Sequence, residues 1–199
     1  MTQESKFLPV YVNGIETVSV GNAINKDAAL LWKGPVVGQL ITQLLKDSLW
    51  SDLDYLIVDT PPGTGDVHLA LYDAVPIDGA ILVTSPQDVA YTDIIRNVDM
   101  FKKMRIPVLG LVNNLDGFVC PCCGEVTSIF KGEKIQKMAE ENKYDIIGSI
   151  PIDPMIANAA DSGFPAIDAK PDSKYAKVFE NIAKKIMEKV PKEAKPKKQ

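Results

Sequence analysis

All three cysteines of this chain fall within four residues, in Phe118-Val119-Cys120-Pro121-Cys122-Cys123-Gly124. Cys120 and Cys123 stand at C-x-x-C spacing, with Cys122 between them. Thiolates two residues apart can ligate one soft centre, either zinc or an iron–sulfur cluster. The neighbouring proline and glycine favour the tight turn that such ligation needs. Zinc normally takes four protein ligands and a cubane cluster takes four cysteines. One chain supplies two or three thiols and a single histidine, His68, far away in sequence. The ligand arithmetic therefore implies that a second chain completes the site. The plainer alternative is a surface turn with free thiols, or a zinc turn completed by neighbouring side chains.

A second group of candidates lies in Asp59-Thr60-Pro61-Pro62-Gly63-Thr64-Gly65-Asp66. An aspartate that ends a buried strand can hold magnesium beside a phosphate, directly or through water. Pro61 and Pro62 fix an extended exit from the strand. Gly63 and Gly65 let backbone N–H groups approach an anion. The same residues also read as a rigid turn with a capping acid. Asn113-Asn114 offers side-chain amides able to pair with a purine edge, yet asparagine is also an ordinary turn former.

These residues need elements to hold them. Short apolar runs at Tyr55–Asp59, Gly79–Thr84, Pro107–Asn113 and Asp145–Ile150 carry no polar alternation, the mark of strands buried on both faces of a parallel sheet. Ile94, Val98, Phe101 and Met104 share one face of a helix from about Asp88. Tyr175, Phe179, Ile182 and Ile186 do the same in the last helix, and Pro35 to Asp47 reads as a helix with proline in its first turn. These stripes are core faces. Alternating strands and helices define a three-layer α/β domain, in which ligands bind at the carboxyl ends of the strands. The segment Leu115–Phe130 interrupts the alternation and carries the cysteines as a loop insert.

The chain has 199 residues, 46% hydrophobic and 24% charged, with net charge −4. That length is enough for one well-buried domain, here residues 1–190, followed by a disordered basic tail, 191–199. The acidic balance excludes a nucleic-acid footprint built on a basic stripe. No apolar run approaches the roughly 20 residues of a membrane span. Clustered rather than paired cysteines fit a reducing compartment. Met1 to Lys6 show neither a secretory core nor an Arg-rich transit segment, so the expected location is the cytoplasm.

Taken in order, several strings resemble one family. They are Trp32-Lys33-Gly34-Pro35, then Leu53 to Asp66, Ser85-Pro86-Gln87-Asp88-Val89-Ala90, Val108 to Asn114, Cys120-Pro-Cys-Cys-Gly124, Ile150-Pro151-Ile152-Asp153 and Asp161-Ser-Gly-Phe-Pro165. The pattern is similar to the Mrp family of iron–sulfur cluster carrier ATPases, with its mitochondrial NUBPL-type members, related to MinD-type P-loop ATPases. It runs from about Pro9 to Met187. The resemblance implies a mostly parallel sheet of the P-loop NTPase type, incomplete at its N-terminus. It implies a dimer bridging a 4Fe-4S cluster between Cys120 and Cys123 of each chain, and delivery to apo-proteins. It places Asp59 at the magnesium and γ-phosphate end of a Mg-ATP site and Gly63 in the nucleotide switch. Asn114 would contact adenine, and the segment around Pro151 would line the base pocket. Cys122 occupies a variable position.

The departures are specific. The family's phosphate loop ends in Gly-Lys-Ser or Gly-Lys-Thr, and no Gly-Lys dipeptide occurs in this sequence. Lys33 stands where arginine is common, Asn113-Asn114-Leu115-Asp116 replaces Glu-Asn-Met-Ser, and Lys131 follows Phe130 in place of glycine. His68 stands where glutamine is common, as a solvated or capping histidine. ATPase activity is thus left undecided. The expected roles are a cluster carrier with degenerate nucleotide binding, a non-hydrolysing metal-binding scaffold that pairs with a longer paralogue, or a fragment with an empty or zinc-bound thiol turn. The partner is a second copy or an Mrp-type paralogue. A lost presequence would move the location to the mitochondrial matrix.

Overall fold

The computed structural model describes residues 6–22, 34–120 and 122–192. Trp32-Lys33, Pro121 and the tail from residue 193 lie outside them, and with them the expected order or disorder of that tail. By contacts the chain divides into two compact units, Met1–Ile77 and Asp78–Gln199.

The first unit starts with a hairpin that the strand patterns did not signal, β1 (Val10–Val12) paired antiparallel with β2 (Ile15–Thr17). Asn13 and Gly14 form the connection with φ of 49° and 81°. Two consecutive left-handed residues make the turn whose twist matches the strands, and Asn-Gly tolerates it best. The Glu16 carboxylate accepts from the Ser51 N–H at 3.0 Å, which ties the hairpin to the loop before Tyr55, and hydrogen bonding from the Ser51 side chain first, then from its backbone, holds that carboxyl below its ordinary value. Two helices follow, α1 (Gly34–Lys46) and α2 (Asp66–Ala74). They meet where a Cβ on Gly38 would lie 3.5 Å from the Ala70 methyl, at ordinary van der Waals contact. Helix α1 matches the element expected from Pro35.

The expected strand Tyr55–Asp59 is not one. The segment forms no ladder with any described strand, and Leu56, Ile57 and Val58 are exposed, Ile57 to 76%. An apolar run becomes a buried strand only when neighbours pair both its edges and cover both faces. Composition alone cannot supply them.

The second unit carries the sheet. Strand β3 (Ala80–Thr84) leads through α3 (Asp88–Met104) to β4 (Val108–Val119). After a short β5 (Val126–Thr127), helix α4 (Glu133–Asn142) leads to β6 (Ile146–Ile152). Helices α5 (Pro154–Asp161), α6 (Ala166–Ala169) and α7 (Lys174–Lys189) complete the chain. Strands β3 and β6 both lie parallel to β4, on its two sides, and β5 adds antiparallel to the far end of β4.

Two apolar clusters make this unit three-layered. Leu82 and Leu111 of the sheet pack with Ile94 and Val98 of α3 and with Ile135 and Met138 of α4. On the other face, Val112, Ile147 and Ile150 pack with Ile182 of α7, joined by Phe179 and Ile186. Parallel neighbours need crossovers, and successive right-handed crossovers in one direction put α3 and α4 on the same face. The stripes expected on α3 and α7 therefore do face the core. Helix α5 starts where Asp153 Oδ1 accepts from the Met155 N–H at 2.8 Å, with Pro154 in the first turn. Helix α7 starts on Ser173, whose Oγ accepts from the Ala176 N–H at 3.1 Å.

Candidate functional site: a thiol hairpin at the end of the central strand

The cysteines are not in a loop insert. Strand β4 runs twelve residues, past the predicted end at Asn113, and delivers Cys120 directly. Phe118 pairs with Thr127 and Val119 with Val126, so the thiols sit at the tip of a β-hairpin. The Cys120 N–H donates to the Glu125 carbonyl and the Gly124 N–H to the Cys120 carbonyl, both at 2.8 Å. Gly124 takes φ of 73°, which turns the chain back into β5.

Hydrogen bonding from the Cys123 backbone first, then from the Cys122 backbone, holds the Cys120 thiol below its ordinary value. Hydrogen bonds to a thiolate stabilise the form that binds metal. All three thiols are free. Cys122 and Cys123 are exposed and Cys120 is half-buried. Free thiols gathered at one exposed hairpin tip fit a thiophilic centre. Among the described residues no group of three or more His, Cys, Asp or Glu is arranged to hold a metal ion.

Upstream of the hairpin, β4 loses register with β6. Asn114 pairs with Ile150 and Phe118 with Ile152, so Leu115 to Gly117 bulge out. Leu115 and Gly117 both have positive φ, 60° and 85°. A leucine in the left-handed region costs about 1–2 kcal/mol, strain of the kind that collects at functional sites. The sequence held a signal for this bend in the Asp116-Gly117 turn dipeptide, which the loop reading absorbed. A Cβ on Gly117 would lie 2.8 Å from Val126 Cγ1, so the bulge packs tightly on β5.

The bulge begins beside the expected base-binding residues. Asn114 lies opposite Ile150, one residue before Pro151, so these two candidates are brought together on adjacent strands where the regular β4–β6 pairing breaks. The Asn114 Oδ1 accepts from the Leu115 N–H at 3.1 Å, which leaves its amide N–H groups to donate elsewhere. Asn113 behaves differently. It points to the opposite face, is 6% exposed, and its Oδ1 has no partner among the described residues.

The other two candidates belong to the first unit. Asp59 is exposed and ends a segment that forms no ladder with a described strand, rather than a buried strand. Gly63 takes φ of 91° in the turn before α2. His68 is buried, not solvated, and acts as a cap. The Gly65 N–H donates to its Nδ1 at 3.5 Å, and burial pushes the imidazole below its ordinary value.

The layered unit is a three-layer α/β fold, and known structures share it. A nucleotide-binding protein of Archaeoglobus fulgidus in complex with ADP superposes with a TM-score of 0.70 at 28% identity, over 87% of this chain and 67% of that one. The cell division ATPase MinD of Pyrococcus furiosus does so with 0.56 at 27% identity, over 78% and 59%. The fold is that of MinD-like P-loop NTPases. In sequence, the family described as ParA: NUBPL iron-transfer P-loop NTPase matches residues 1–187. The chain belongs to this family. The iron-sulfur cluster transfer protein NUBPL of Dictyostelium discoideum is 41% identical over 183 residues, which are 92% of this chain and 57% of that protein. The chain thus spans less than two thirds of that relative's length.

Proposed function

We propose that this chain is an iron–sulfur cluster carrier whose cargo is held by Cys120 and Cys123. The observation that carries the reading is the β4–β5 hairpin, which gathers Cys120, Cys122 and Cys123 as free thiols at one tip closed by the Gly124 N–H to Cys120 carbonyl bond. Two thiols per chain are half of what a cubane requires. The reading is therefore a 4Fe-4S cluster shared between two chains, either two copies or this chain with a longer family member, and passed on to apo-proteins. The two units are read as parts of one family domain, residues 1–190, because the family match runs unbroken across both. Asp59 and Gly63 are the proposed magnesium-side and switch positions. Asn114 and Pro151 are the proposed base-side positions, supported by their adjacency across β4 and β6. The lack of a Gly-Lys dipeptide in the 199 residues supports a second reading, a non-hydrolysing partner subunit of a longer paralogue.

Anaerobic reconstitution with iron and sulfide tests the cargo reading. The expected yield is about one 4Fe-4S cluster per two chains, since a cubane takes four thiolates. Cys120→Ala and Cys123→Ala should each abolish it, and Cys122→Ala should retain most of it. Equal loss from all three would overturn the ligand assignment. One tightly bound zinc per chain with no cluster would favour a zinc turn.

A further inference from the structure

Leu56, Ile57 and Val58 form an apolar run that the first unit leaves open to solvent, with exposures of 43%, 76% and 42%. Neither these three residues nor Asp59 makes a backbone hydrogen bond with a described residue. The run contains no helical turn and no residue of positive φ. Its backbone N–H and C=O groups and its apolar side chains are therefore open together, which is a template for strand pairing with another chain. The flanking residues limit any such ladder. Pro61 and Pro62 have no N–H to give, so pairing stops at Thr60. Two carboxylates, Asp54 and Asp59, bracket the run.

We propose that a second copy of this chain pairs antiparallel with the run, about a two-fold axis at Ile57. The proposal stands on the first unit alone and is independent of the cargo reading. The charges fit a second copy in this register. With the axis at Ile57, the two Ile57 side chains meet, Leu56 of each copy faces Val58 of the other, Tyr55 faces Asp59 and Asp54 faces Thr60. No carboxylate then opposes another. Parallel pairing in register would set Asp54 against Asp54 and Asp59 against Asp59. A one-residue slip of the antiparallel pair toward the N-terminus would set Asp54 against Asp59. The opposite slip would bring Pro61 into the ladder against Asp54. Like charges directly opposite are destabilising, and so is a ladder position without an N–H. The contact is isologous, the kind that joins two-fold dimers. A lone pair of strands is marginal in water, so the dimer draws its stability from covering Leu56, Ile57 and Val58, and it forms only as concentration rises.

The test follows the full, metal-free, reduced chain with a chelator present, by sedimentation over a wide range of concentration and by hydrogen exchange at each concentration. The expected result is a monomer–dimer equilibrium in which the amides of 56–59 gain protection as dimer forms. Ile57→Lys should weaken the dimer by about tenfold or more, because it sets two ammonium groups against each other at the axis. Ile57→Val keeps an apolar β-branched pair there and should keep the dimer. The Ile57 side chain is largely exposed, so neither substitution disturbs the fold, and unchanged exchange at Leu111 checks this. A chain that stays monomeric at every concentration would overturn the proposal. A dimer that ignores Ile57→Lys, or protection of 56–59 that does not grow with concentration, would do the same. A dimer lost when Cys120 and Cys123 are both replaced by alanine, yet kept in Ile57→Lys, belongs to the thiol tip and also overturns it. Protection that appears only on adding the longer Dictyostelium discoideum relative would assign the run to a strand of that protein and rule out the second copy.

Discussion

Replacing Gly117 by alanine should loosen the thiol hairpin without unfolding the domain. Two costs follow from the structure. Gly117 sits at φ of 85°, where an L side chain costs about 1–2 kcal/mol. Its new Cβ would also lie 2.8 Å from Val126 Cγ1 and 3.4 Å from the Thr127 carbonyl oxygen. Overpacking of that kind costs about 1–3 kcal/mol, and the low end applies because Val126 is largely exposed and can rotate away. Together the substitution removes about 2–3 kcal/mol from the β4–β5 hairpin. At about 1.4 kcal/mol per factor of ten, that raises the local opening constant roughly 30- to 150-fold. The hairpin has little reserve, since β4 and β5 share only two registered residue pairs, reinforced by the Cys120–Glu125 and Cys120–Gly124 backbone bonds. Hydrogen exchange of the 117–127 amides should report the opening, while the melting of the sheet core shifts little. Cluster retention after reconstitution should fall in parallel. Adding Val126→Ala should return about 1 kcal/mol, the packing share, and leave the backbone strain. Unchanged exchange in Gly117→Ala, or no rescue by the second substitution, would refute this account of how the tip is held.

The remaining expectations concern nucleotide, pH and a buried hydroxyl. Without a Gly-Lys phosphate loop, the 199 residues should bind Mg-ATP at least about a thousandfold more weakly than a micromolar site, since charge-assisted phosphate contacts are worth roughly 1.5–3 kcal/mol each; calorimetric titration showing micromolar binding that disappears in Asn114→Ala would contradict this. Burial keeps His68 neutral in the folded chain, while the unfolded chain takes up a proton near 6.5. Its contribution to stability is therefore full above that pH and is lost as pH falls toward the lowered folded value. His68→Gln should flatten this acid slope in denaturant melts between neutral and mildly acid pH. The Tyr175 hydroxyl is buried with no partner among the described residues, so Tyr175→Phe should be neutral or stabilising by up to about 1 kcal/mol in thermal melts. A clear loss of stability there would reveal a bond to that hydroxyl.

The sequence by itself determined the chemistry on offer and most of the layered unit. Three thiols within four residues need no structure to name a thiophilic site, because ligand type and spacing are covalent facts. The stripes of α3 and α7 were legible because a helix repeats its buried face every three or four residues, and that periodicity survives whatever packs against it. The apolar runs at Ala80–Thr84 and Ile146–Ile152 became strands because β4 lies between them. The run Leu56-Ile57-Val58 has the same composition and no described ladder partner, and it stays exposed. Strand identity is a property of the pair, and only the tertiary structure decides which runs find a neighbour. The same holds at the site. Sequence presented Leu115–Phe130 as one loop, whereas pairing of Phe118 and Val119 with β5 extends the central strand to the thiols. It also joined Asn113 and Asn114 as like residues. The pleat separates them, burying one amide against the α3–α4 layer and leaving the other beside Pro151, because successive side chains of a strand face opposite ways.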